Sequence, residues 1–320
     1  MGRFLPVGGQ AVIEGVMMRS PGRVATAVRR ADGSVAWQDR PFISVTKRVR
    51  PLSWPILRGA AVLVESMTLG IQALAYAADE AAREGGAALG PPNAAGAAPA
   101  APKASWFTAL ALPVTVVGAL ALGFAVFFAL PLWLTGLLRL RGSLGFNMVD
   151  GALRLLIFLA YIWLIGQWGE MKRVFEYHGA EHKSIHALEA GVDLTPENAQ
   201  QFSRFHPRCG TSFLLIVMLL SILVFVLLGR PTTWGQRLLR FAFIPVIAGV
   251  AFEVVRLSAR YSHLRWVGWF IRPGLDLQRL TTREPSLAQI EVALAALKVV
   301  WTEETSAMAP DAALAAACEG

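Results

Sequence analysis

His178, His182 and His186 recur every four residues in the stretch Phe175–Glu189, FEYHGAEHKSIHALE, and are three of the five histidines in the chain. Positions four apart share one face of an α-helix, so Glu181, Ile185 and Glu189 fall on the same stripe. Two imidazoles at i and i+4 can hold one metal ion. His178-x-x-Glu181-His182 also has the H-x-x-E-H order, in which the intervening Glu serves as general base toward a water molecule. A second cluster follows, Arg204-Phe205-His206-Pro207-Arg208-Cys209-Gly210, where His-x-x-Cys has ligand spacing. If His178, His182, His206 and Cys209 all bind, the site is a closed tetrahedron of three nitrogens and one sulfur, the usual form of structural zinc. If only three bind, a position stays open and Glu181 becomes the base. A metal-free alternative makes Cys209 a redox thiol activated by Arg208 and His206. Interfacial histidines bonded to loops or headgroups would give the first pattern too, so spacing alone leaves these readings open.

Two more carboxylates fall in suggestive places. GGQAVIEGVMMRSP, Gly8 to Pro21, lacks both G-x-x-x-x-G-K-[ST] and G-x-G-x-x-G, which excludes a phosphate loop. Its Gly8, Gly9 and Gly15 point to tight backbone approach. Glu14 among them is a ligand, a base or a partner for Arg19, and joins Glu181 as a catalytic candidate. Glu253, in AFEVVRLSAR, falls near the end of an apolar run where an unpaired carboxylate is expensive. It is a candidate metal ligand, and the blander reading pairs it with Arg256 at i+3.

The elements that must hold these residues belong to a bilayer. The chain is 55% hydrophobic and 16% charged, with a mean hydropathy of +0.49, too apolar for an ordinary soluble protein. Crossing a hydrocarbon core takes roughly 20 apolar residues as helix, and four stretches qualify: Phe107–Leu138, Met148–Trp168, Ser212–Leu228 and Leu238–Leu257. The first is overlong and contains Pro113 and Pro131, so it is expected as one tilted or kinked span. Pro55–Ala78 carries Arg58 and Glu65 and reads as an amphipathic or re-entrant helix. Residues 1–58 hold ten Lys/Arg against three Asp/Glu, which marks that end as cytoplasmic. Four spans return the Arg-rich tail to the same side. The histidines then lie at the cytoplasmic face, on a helix read as the continuation of the second span and ending at Gly191.

The net charge of +8 is explained by basic residues facing anionic lipid, and no nucleic-acid module is recognisable. No cleavable signal peptide is expected. Two cysteines, Cys209 and Cys318, exclude a disulfide framework in practice, and a cytoplasmic Cys209 would be reduced. The domain reading is a β-containing cytoplasmic region over 1–53, with a hairpin turning at Ala31-Asp32-Gly33; the amphipathic or re-entrant helix over 54–79; and a disordered Ala/Gly/Pro linker over 80–105. A four-helix membrane domain over 106–258 follows, with a cytoplasmic loop over 169–211, and then a tail over 259–320. In the tail, Ser286-Leu287-Ala288-Gln289 is a capping box opening an amphipathic helix, 286–302, that wants a partner surface.

GGQAVIEGVMMR, YHGAEHK, RFHPRCGTSF, EVVRLSAR and TTREPS occur in this order, and together they resemble the bacterial YqhQ family of membrane proteins, a family of unknown function. The resemblance covers nearly the whole chain apart from the linker and the last residues. Members have been labelled predicted metal-dependent enzymes, and the motif blocks contain Glu14, His178, Glu181, His182, His206, Cys209 and Glu253; His186 lies beyond them as a reserve ligand. The expectation is therefore a mainly α integral membrane protein of the cytoplasmic membrane, about four transmembrane helices, both termini cytoplasmic. It would bind a divalent metal, zinc foremost for mixed N/S ligands, and hydrolyse a membrane-associated lipid or peptide. The alternative is a non-catalytic assembly factor or scaffold with a membrane-protein partner, in which the His/Cys site pins the 169–211 loop. Transport is least favoured, for want of polar residues in the spans or paired broken helices.

Overall fold

The start of the chain is rich in glycine and valine, and this region folds as four antiparallel strands: β1 (Gly8–Val12), β2 (Gly15–Arg19), β3 (Arg23–Arg29) and β4 (Val35–Pro41), in the order β1-β2-β3-β4. The computed structural model describes residues 5–84, 106–140, 142–261 and 264–302. The expected β3–β4 hairpin forms, with Arg29 opposite Val35 and Gly33 at φ +84°. The β1–β2 hairpin is an addition: GGQAVIEGVMMR, whose glycines point to tight backbone approach, is two paired strands turning at Ile13-Glu14, with Glu14 at φ +52°. The close approach itself is real at Gly15, where a Cβ would sit 2.2 Å from the Ala27 carbonyl oxygen.

Side chains alternate across a strand, and both faces of this sheet are covered. Val16 and Met18 turn to one face, with Ala25 and Ala27, and Met17 to the other, with Val24 and Val28. This double burial is why the strands read as continuous apolar runs.

The helices are α1 (Val45–Arg48), α2 (Leu57–Glu84), α3 (Trp106–Phe124), α4 (Leu130–Leu137), α5 (Ser143–Ile165), α6 (Gly169–Ala190), α7 (Pro196–Gln200), α8 (Gly210–Leu228), α9 (Trp234–Ala242), α10 (Ile244–Arg260), α11 (Arg265–Thr281) and α12 (Leu287–Val300). α12 covers the first sheet face with α6. Its Ile290, Leu294 and Leu297 are almost fully buried against Val16, Met18, Tyr177 and Ala180. The partner surface expected for this helix is thus the chain's own sheet, and both bonds of the Ser286–Gln289 capping box are present. α2 covers the other face through Leu69, Ala73 and Ala77.

Among the described residues, five segments are long and apolar enough to cross a membrane: Leu57–Arg83, Val117–Leu137, Ser143–Ile165, Gly210–Leu228 and Trp234–Ser258. α2 is the addition to the four expected. It runs through Glu84 instead of ending at 79, because Glu80 is buried between Arg30 and Arg83; the rest of the expected linker, 85–105, lies outside the described residues. The first apolar run, expected as a tilted or kinked span, carries a π-helical turn, Ala125–Ala129, just before Pro131. α5 does not run on into α6; the chain breaks at Gly166-Gln167-Trp168, where Arg283 donates to the Gly166 carbonyl at 2.7 Å. α11, with Pro273 inside it, lies where the sequence showed only scattered arginines.

The chain divides into two compact units. One comprises Met1–Ala87, Ile162–Val217 and Phe241–Gly320 and contains the sheet, α2, α6, α10, α11 and α12; the other comprises Ala88–Tyr161 and Met218–Arg240. The second unit holds a buried polar group that hydropathy concealed. Asp150 pairs with Arg154 at 2.9 Å and with Arg240 at 3.8 Å, and Arg240 also donates to Asn147 at 2.6 Å. Within a span such charges persist only when paired.

Candidate metal centre

α6 carries the histidine stripe and stops where the sequence indicated, with Gly191 left-handed at φ +69°. Its chemistry is assembled by two segments that cross it. The 200–209 segment is held down by Lys183, whose ammonium donates to the Gln200 and Phe202 carbonyls at 2.8 Å each and pairs with Glu284 at 2.6 Å. Gln278 of α11 grips the His206 backbone from both sides, accepting from its N–H and donating to its carbonyl at 2.8 Å. Gly179 lets the 281–285 segment lie against α6: a Cβ there would meet the Arg283 carbonyl oxygen at 2.2 Å.

These contacts bring His178, His182 and Cys209 together, one donor atom from each lying within 4.8 Å of the others. His178 Nδ1–H donates to the Thr281 carbonyl at 2.8 Å, and His182 Nδ1–H to the Arg204 carbonyl at 2.6 Å. Both rings therefore keep the Nε2 lone pair, and His178 Nε2 lies 3.2 Å from Cys209 Sγ. Backbone carbonyls on the far ring nitrogen are the usual way a protein orients metal-binding histidines. Burial holds the His182 imidazole below its ordinary pKa, hence neutral. Burial alone would raise the Cys209 thiol, but His182 and the hydroxyl and amide of Thr211 bring it below its ordinary value. Neutral imidazole and accessible thiolate are the forms that ligate a metal.

Glu181 is 6% exposed beside this cluster. Burial pushes its carboxyl up to about 7, and the Cys209 charge adds to this, against the opposing pull of His178, the Gly9 backbone and Arg19. A carboxyl poised near neutrality in a buried cleft is suited to proton transfer. Gly9 is there for space, since a Cβ would sit 3.0 Å from the Glu181 carboxyl carbon and 2.6 Å from the Met17 carbonyl oxygen. The cluster opens on a cavity of about 480 Å³ that also takes in Arg19 of β2, Ser66 of α2, Phe213 of α8 and Phe252 of α10.

The other candidates separate from this trio. His206 groups with His186 and Glu189 in a second cluster, although its ring centroid is 5.6 Å from that of His182. Its Nδ1 accepts from the Arg208 amide at 3.3 Å. Glu189 is engaged by the Arg208 guanidinium and lies 3.6 Å from His206 Nε2, and His186 Nε2–H donates to the Phe205 carbonyl. Arg208 already supplies the cation of this second group. Glu14, at the β1–β2 turn, forms a two-pronged ion pair with Arg173 and accepts from Tyr177 at 3.4 Å. Its partner is Arg173 and not Arg19, and neither cluster includes it. Glu253 is gripped by Arg58 of α2, at 2.6 and 2.5 Å, beside a close crossing in which Gly59 meets Gly249. It clamps α2 to α10, a partner 195 residues away that no local spacing could indicate. Sequence reasoning also missed Glu189 and Arg208 as a pair, and Arg19 as a cavity residue; the i+3 spacing of His186 and Glu189 was the signal available for the former.

Residues 54–303 match the family described as "Protein of unknown function (DUF1385)". The chain is 33% identical over 296 residues to the "Uncharacterized protein YqhQ" of Bacillus subtilis (strain 168), covering 90% of this chain and 89% of that one. No solved structure matches. The chain belongs to the DUF1385 family.

Proposed function

We propose that this protein is a metal-dependent hydrolase working at the cytoplasmic face of the membrane, in which His178, His182 and Cys209 hold a divalent transition metal, zinc foremost. The observation that carries this reading is the pair of backbone carbonyls that hold Nδ1–H of both histidines and turn both Nε2 atoms toward the thiol. Two nitrogens and one sulfur suit zinc, and three protein donors leave the set open. When bound, the ion would supply Lewis-acid polarisation of the bond to be cleaved. Glu181 takes a proton from the attacking water and returns it to the leaving group. Burial raises the carboxyl enough to do both near neutral pH.

Charge and packing support this placement. The basic N-terminal region sits at the cytoplasmic side, and α2, with Leu69 to Ala77 committed to the sheet, lies along the interface. Four spans then leave both termini cytoplasmic. A purely structural site that pins the 200–209 segment is the second reading, favoured by the burial of Cys209 at 5% exposure; burial of α12 takes away the docking helix that a scaffold would have offered.

Elemental mass spectrometry on the detergent-purified chain separates the two. About one metal per chain is expected in the wild type and in Glu181→Gln, and loss of it in His182→Ala and Cys209→Ser. Failure of the metal-loaded Glu181→Gln protein to restore the phenotype of a deletion strain supports catalysis. Full restoration leaves only the structural site.

A further inference from the structure

The cavity in front of the cluster is two-faced, and its polar face contains a cation that the metal reading does not use. Arg19 lies on β2 with its guanidinium turned into the cavity, bonded to the Ser66 hydroxyl at 3.3 Å. Among the described residues it forms no ion pair; Glu65 and Glu181 act on it only through their field. Glu65 is itself engaged by Ser44 and the Val45 amide at 2.9 Å. The second arginine at the cavity, Arg208, is committed to Glu189. A largely desolvated guanidinium with one neutral partner is costly unless an anion completes it, and a phosphate matches its fork of N–H donors.

The opposite face is hydrocarbon. Val62 and Leu63 of α2, Phe213 of α8, and Phe252 and Val255 of α10 line it, all on helices with the length and composition of membrane spans. Two lining residues, Met67 and Leu214, are 52% and 45% exposed. The apolar end thus has a mouth among side chains that face lipid once these helices are in or against a bilayer. A volume of about 480 Å³ is within the range that takes a small-molecule ligand.

We infer that this cavity binds a phosphate-bearing acyl lipid, with Arg19 on the phosphate, the acyl chain among α2, α8 and α10, and lateral access from the membrane past Met67 and Leu214. This deepens the hydrolase reading by naming its substrate class and rests on that reading for its purpose, but the binding itself does not require the metal. An extended peptide fits less well. Its backbone would need unpaired donors and acceptors on the edge strand β1, and the Gly9 backbone is already bonded to Glu181. Free phosphate would leave the apolar wall unused.

The test measures binding to the full-length chain in detergent by native mass spectrometry, with dioctanoyl phosphatidic acid, dioctanoylglycerol and inorganic phosphate as probes. The wild type should prefer the phosphatidic acid over the uncharged diacylglycerol by on the order of tenfold or more. Arg19→Gln should reduce that preference to about twofold while leaving diacylglycerol binding as it was, and Leu63→Trp, which fills the apolar wall, should weaken both lipids. Wild type stripped of metal with a chelator should keep the preference, so loss of metal and loss of lipid recognition are scored separately. Equal binding of the two lipids, an unchanged preference in Arg19→Gln, or displacement by inorganic phosphate at matched concentration would each overturn the inference. If lipid preference persists while no variant affects metal content, the lipid site stands and the hydrolase reading falls.

Discussion

Glu181 makes the protein's stability depend on pH in a way that the structure quantifies. In the metal-free protein its carboxyl titrates near 7 instead of 4.5, chiefly because it is buried. The groups around it are His178, Cys209, the Gly9 backbone and Arg19, and only Cys209 adds to the rise. Between those two values the folded state keeps a proton that the unfolded chain has released, so stability falls as pH rises through the window and the loss is complete above it. At about 1.36 kcal/mol per unit, the loss is roughly 3 kcal/mol. For a chain of this size each kcal/mol moves the unfolding midpoint by roughly 2 °C, so the midpoint should drop by about 6 °C between pH 5 and pH 8. Glu181→Gln keeps the shape and removes the charge, so its midpoint should vary much less over the same range and exceed that of the wild type at pH 8. Differential scanning fluorimetry in detergent with a chelator measures both curves. Added zinc should flatten the wild-type curve, because a cation beside the carboxylate favours its charged form. Parallel wild-type and Glu181→Gln curves without metal would refute the burial argument.

Four further outcomes follow from the contacts. His206→Ala should retain about one metal per chain by elemental analysis, since His206 groups with His186 and Glu189; loss equal to that in His182→Ala would restore the four-ligand site. Gly179→Ala should cost roughly 1–3 kcal/mol in denaturant unfolding and reduce metal content, because its Cβ displaces the segment whose Thr281 carbonyl orients His178. Glu14→Gln should change stability by less than about 1 kcal/mol, as expected of a partly exposed ion pair, and leave metal content unchanged; metal loss would return Glu14 to the site. Leu294→Ala should cost about 2–5 kcal/mol, because Leu294 is 2% exposed in the core that joins α12 to the sheet; a cost below about 1 kcal/mol would show that α12 does not pack there.

The sequence alone determined what depends on local pattern. Four apolar runs were legible because a bilayer demands length and hydropathy, the end of α6 at Gly191 because a left-handed turn favours glycine, and the α12 start because its capping box is four consecutive residues. The i, i+4 spacing placed His178 and His182 on one face for the same reason. Tertiary structure decided what depends on residues distant in the chain. His178, His182 and Cys209 were separated from His206 because the carbonyls of Thr281 and Arg204 fix the imidazoles and Gln278 fixes the His206 backbone. Glu253 went to Arg58 and Glu14 to Arg173, each across more than 150 residues. The β1–β2 hairpin was hidden because its glycines break the alternation and are explained only by what they touch: Ala27 for Gly15, and Met17 and Glu181 for Gly9. Periodicity records which face a side chain takes along its own helix or strand, whereas burial of a charge and the partner that compensates it are set by chain segments that meet only on folding.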